Sequence, residues 1–136
     1  MITASTRRRN FMQAANMVVT LYRAEEGAEG TYSAPFRLSA YVETNVAALR
    51  RIYGYNTECK ALVILSGTEP YVTHKPQGEV PEGYTDIKAG DIIVLGDVRL
   101  PFEDMLEAGE YQLFSAISVS EHFVRNELLS VEVACG

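Results

Sequence analysis

Tryptophan is absent from this chain of 136 residues, and cysteine and histidine occur only twice each. Cys59 and Cys135 lie too far apart for a CxxC redox or zinc motif, and their reading is two free thiols in a reducing compartment. His74 and His122 stand outside any HxH or HExxH spacing, which removes the usual zinc patterns and leaves them as expected surface histidines. The glycines form neither GxGxxG nor GxxxxGK[ST], and no serine sits in GxSxG, so no nucleotide loop or hydrolase elbow is present. Ser120, Glu121 and His122 follow one another in an extended segment, where Glu121 points to the face opposite the other two, so the three do not converge as a Ser-His-acid triad. The chain also lacks long apolar runs. The longest, Ala61 to Leu65 and Ile92 to Leu95, fall far short of the roughly 20 residues of a membrane helix. The amino end has basic residues but is interrupted by Asn10, Gln13 and Asn16, unlike a secretory signal, so export is not expected.

Positive charge is scarce too, with twelve Lys and Arg against eighteen Asp and Glu. The imbalance is uneven: residues 61 to 136 hold four basic and thirteen acidic residues. Arg7, Arg8 and Arg9 form the concentrated basic cluster, suited to phosphate, to an acidic partner surface or to solvent. A chain so charged does not read or grip nucleic acid tightly. Glu79, Glu82, Asp86, Asp91 and Asp97 do not follow the alternating ligand spacing of a calcium loop, and are expected to be solvated.

What is present points to β structure. Phe36, Leu38, Ala40 and Val42 alternate with Arg37, Ser39, Tyr41 and Glu43, the period of a half-buried strand. Met17 to Arg23 is rich in β-branched and aromatic residues. The two continuous aliphatic runs fit strands covered on both faces. Tyr111 to Ser120 and Leu128 to Cys135 alternate again, and the intervening EHFVRN suits a hairpin. Asn45 can cap a short helix in which Val46, Leu49, Ile52 and Tyr53 share a face and Gly54 is the stop, although Ile52 to Tyr55 suits extended chain equally well. Pro101 opens PFEDMLEAG, with early acids and a closing glycine, as one or two helical turns. The expected architecture is therefore all-β: a small barrel or sandwich of about six to seven mostly antiparallel strands, with one or two short helices and a long loop. Residues 1–16 form an arm and residues 17–136 the single barrel domain.

That loop runs from Gly67 to Gly90 and holds three of the five prolines and four of the ten glycines. Loops of this length in a compact domain tend to carry function. Tyr71, Val72, Tyr84 and Ile87 are expected to offer apolar groups that a lone barrel leaves partly in water, with His74 and Lys75 beside them, while Glu69, Glu79, Glu82 and Asp86 face solvent. In the stretch TDIKAGDIIVLGDV, Gly90 permits a sharp turn and Asp91 bonds the turn backbone before the aliphatic run enters the core.

The block from KALVIL (60–65) through the proline-rich loop to IKAGDIIVLGDV (87–98), with the closing YQLFSAISVSEHFVRNELLSVEVACG (111–136), resembles small head-tail connector proteins of long-tailed bacteriophages. These are the head-closure or stopper group and related minor capsid proteins, and the likeness covers roughly Phe36 to Gly136. It implies a noncatalytic virion protein without cofactor or metal, forming a homo-oligomeric ring in the neck after assembly in the host cytoplasm. A portal or adaptor protein would lie on the head side and a tail terminator or tail tube protein on the tail side. Genomic DNA would pass through the channel without sequence-specific binding, and no membrane would be involved. Contacts are expected through exposed strand edges, through Tyr71, Val72, His74, Lys75, Tyr84 and Ile87, and through Arg7 to Arg9. A tail-terminator role uses the same physics. A reading of another class is a small-ligand or carbohydrate-binding barrel with Tyr32, Tyr41, Tyr71 and Tyr84 as stacking platforms.

Overall fold

The computed structural model describes residues 17–54, 57–76 and 78–136; the expected arm, with Arg7, Arg8 and Arg9, lies outside them. Six strands form: β1 (Met17–Tyr22), β2 (Phe36–Glu43), β3 (Ala61–Ser66), β4 (Ile92–Leu95), β5 (Leu113–Val124) and β6 (Glu127–Cys135). They close into a barrel in the order β1-β2-β3-β6-β5-β4, with β4 returning to β1 and every pair antiparallel. Two meanders, β1-β2-β3 and β4-β5-β6, are therefore joined by the segment between β3 and β4. Because β4 pairs with β1 and β5 rather than with β3, that segment has to cross the barrel, which accounts for its length.

The alternation in β2 turns Leu38 and Ala40 inward, with Phe36 and Val42 packed against the same core. Each continuous aliphatic run lies between the barrel interior and a helix. In β3, Ala61, Val63 and Leu65 enter the barrel, whereas Leu62 and Ile64 pack outside with Leu49 of α1 (Val46–Tyr53). In β4, Ile93 enters the barrel, whereas Ile92 and Val94 join Tyr22, Val98 and Met105 of α2 (Phe102–Ala108). Phe102 stacks on Tyr32 at 4.0 Å between ring centroids and meets Tyr22 edge-on at 5.4 Å, closing this second core.

The expected caps form. Asn45 accepts hydrogen bonds from the Ala47 and Ala48 amides at 3.0 and 3.2 Å, and α1 continues to Tyr53 instead of becoming extended. Its apolar face is narrower than the spacing implied. Only Leu49 is buried, while Val46, Ile52 and Tyr53 are exposed; eight residues seated on a curved barrel wall touch it with a single turn. The last hairpin is also tighter than EHFVRN suggested. β5 runs on to Val124, and the turn is Arg125-Asn126 alone, with φ of 52° and 67°, the left-handed pair of a type I′ turn. Closure changes the expectation of exposed strand edges, since each strand has a neighbour on both sides. Some strand ends nevertheless overhang a neighbour, and the longest such stretch in these registers is in β5. Beyond Ala116 it overhangs β4, and among the described residues no further backbone hydrogen bond reaches it on the side away from β6.

Candidate functional site

The long segment is fastened to the barrel at several points. Gly67 leaves β3 so close to β6 that its amide donates to the Leu129 carbonyl at 2.8 Å, and a Cβ there would fall 1.8 Å from the Leu128 carbonyl oxygen. Only glycine permits that approach. The Glu69 carboxylate then accepts from the Ser39 amide at 2.6 Å. Tyr71 and Thr85 form a parallel bridge, with the Val72 amide donating to the Thr85 carbonyl and the Thr85 amide to the Pro70 carbonyl, both at 2.9 Å.

This bridge delivers Tyr71 and Ile87 into the main core, where they are 7% and 2% exposed. The expectation that these two would be left partly in water is thus corrected: they plug the barrel. Burial, followed by a hydrogen bond to Glu121 and its charge, pushes the Tyr71 phenol well above its ordinary range. The same Glu121 carboxylate accepts from the Thr73 hydroxyl at 2.7 Å. Val72 is half-buried, Lys75 and Tyr84 are exposed, and the tip from Gly78 to Tyr84 is mostly in solvent.

Asp86, expected in solvent, is also buried. One of its oxygens lies 2.6 Å from His74 Nδ1 and the other 2.6 Å from Arg23 Nη2. The arginine contact is ionic, without hydrogen-bond alignment, and leaves the buried Arg23 Nε without a hydrogen-bond partner. His74 is consequently a half-buried member of a clamp between the loop and the end of β1. Asp91, fully buried, does more than order its own turn. Its carboxylate accepts from the Ala24 amide at 2.8 Å, the Lys88 amide at 2.9 Å and the Lys88 ammonium at 3.1 Å, and that ammonium also donates to the Ala24 carbonyl. The two aspartates tie both meanders together through the loop.

Two open cavities flank the clamp. One, about 280 Å³, is lined by Arg23, Glu25, Ser33, His74, Lys75 and Lys88, among others. A His-Asp pair beside a cavity has the form of a general base, but the nearby hydroxyl is committed elsewhere. Ser33 Oγ accepts from the Arg23 amide at 3.0 Å and donates to the Ala34 carbonyl at 3.2 Å. The other, about 460 Å³, is a groove between the loop and the last hairpin, with Val72, Val80, Pro81, Phe123 and Leu128 on its walls. Among the described residues no group of three or more His, Cys, Asp and Glu could hold a metal ion, and no helix is long and apolar enough to cross a membrane.

The four tyrosines considered as stacking platforms are not gathered. Tyr32 is stacked on Phe102, Tyr41 donates to Glu43 at 3.0 Å, Tyr71 is in the core, and Tyr84 is exposed on the loop. Sequence reasoning placed the loop and the Asp91 bond to its own turn, borne out by the Lys88 amide, but missed Arg23, Asp86 and Glu121 as groups that hold the loop, and the reach of Asp91 to Ala24. No local period marks these groups, because they come from separate stretches of the chain. Compared with protein-family models, curated proteins and solved structures, the chain matches none of them.

Proposed function

We propose that this chain is a noncatalytic structural subunit of a bacteriophage head-tail connector, repeated as a ring between the portal side and the tail and helping to retain the genome. The observation that carries the reading is the sequence likeness from Lys60 to Val98 and from Tyr111 to Gly136. Its blocks correspond to β3, β4 and the β5–β6 hairpin of one barrel, with a clamped loop between the first two. A clamped loop with an exposed tip suits contact between rigid bodies, because little ordering entropy remains to be lost on assembly. An acidic barrel suits a channel that DNA has to pass without sticking. A tail-terminator or other neck ring would use the same features with different neighbours. Phage particles assembled without this chain test the reading. The expected result is heads that leak DNA and tails that fail to join; normal, tailed, DNA-filled particles would reject it.

A further inference from the structure

We infer that the overhanging edge of β5 and the groove beside it form a docking site for an extended segment, and that its occupant is the amino-terminal segment, residues 1–16, of a second copy of this chain. The inference rests on the ring reading only in requiring more than one copy. Phe123 belongs to both parts of the site: its backbone stands in the strand beyond Ala116, which among the described residues has no neighbour opposite β6, and its side chain, 53% exposed, lines the groove.

Strand addition of this kind draws affinity from main-chain hydrogen bonds and specificity from pockets that take alternate side chains. The edge is open to it. From Ile117 to Val124 the sequence ISVSEHFV contains neither lysine nor proline, the residues that commonly keep an edge strand single. Ile117 and Val124 are also exposed, at 43% and 47%. The groove supplies the pocket, with Val72, Val80, Pro81 and Leu128 facing Phe123 around about 460 Å³.

Charge selects the occupant. Of the net −6, residues 1–16 contribute three arginines and no acid, so residues 17–136 carry −9. At the groove itself Glu79 and the exposed Glu127 are matched by Lys75 and the exposed Arg125 of the turn, so the attraction is that of the whole acidic barrel and not of a local patch. The segment RRRNFM places Arg7, Arg8 and Arg9 one residue before Phe11 and Met12, a basic run drawn to the acidic barrel and two large apolar side chains for the groove. A second copy's β5 edge would instead bring together two −9 barrels.

The test uses the full chain with a benzophenone amino acid in place of Phe11, mixed as 14N and 15N copies at high protein concentration and irradiated. The expected products are mixed-isotope dimers cross-linked to residues 72–81 or 123–128, reduced several-fold by 1 M salt or by Phe123→Lys. Cross-links confined to one copy, mixed-isotope products mapping away from this groove, or no cross-linking between copies would overturn the proposal. Because the readout is the position of a cross-link, it can fail while a ring assembled through other surfaces still forms.

Discussion

Asp91 is the residue on which the crossing segment depends most. It is fully buried, and its carboxylate satisfies two backbone amides and one ammonium from two parts of the chain. Replacing it with alanine strands those donors, and hydrogen bonds to a charged group are each worth about 1.5–3 kcal/mol. Asp91→Ala should therefore lower stability by about 2–4 kcal/mol, read as a lower urea midpoint, with Asp91→Asn intermediate. Cys135 gives a second handle. Burial, then the neighbouring Cys59, pushes its thiol from an ordinary 9.0 up to about 12. In the unfolded chain the thiol ionises near 9, while in the barrel it stays protonated until about 12. The native state then binds the extra proton, so stability falls as pH rises across that window, by at most about 1.4 kcal/mol per unit for this group. Denaturant titrations from pH 8 to 10.5 should show a steeper decline for the wild type than for Cys135→Ala compared with its own value at pH 8. Parallel curves would contradict the assignment.

The elements that were legible in the sequence are those whose local signals agree with their surroundings. Alternation in Phe36 to Glu43, two aliphatic runs, the Asn45 cap and the Pro101 to Gly109 frame each named an element that forms. The hairpin was legible as a hairpin but not in length, because Arg125-Asn126 is not the Asn-Gly or Asp-Gly pair that advertises a type I′ turn. That mismatch can be relieved. Asn126 holds φ of 67°, so Asn126→Gly should raise stability by about 0.5 kcal/mol through removal of left-handed strain, less the greater freedom of glycine when unfolded. A drop in melting temperature would show that Asn126 contributes something besides its backbone. The clamp was not legible, because it joins Arg23, Asp86 and His74 across the fold, and no local period predicts which acid of an acidic loop is taken inside.

For the whole molecule, the crossing loop is two things at once, a buried plug and an exposed tip, and the proposed function assigns them different work. Substituting serine and glycine for residues 79–83, which carry no core side chain, should leave the melting temperature within a few degrees of wild type and impair joining of the barrel to its neighbours. Extending the replacement to Tyr71 and Asp86 should unfold the barrel, since both are buried. If the tip variant assembles normally, the contact surface lies elsewhere, with the exposed apolar side chains of α1 and the β5 edge next in line. The connector reading itself is tested most directly by native mass spectrometry of the full chain, alone and mixed with the portal protein and the tail protein proposed to flank it. The account predicts a closed ring, in which many copies of the chain are bound to at least one of the two. A chain that stays monomeric in every mixture would contradict it.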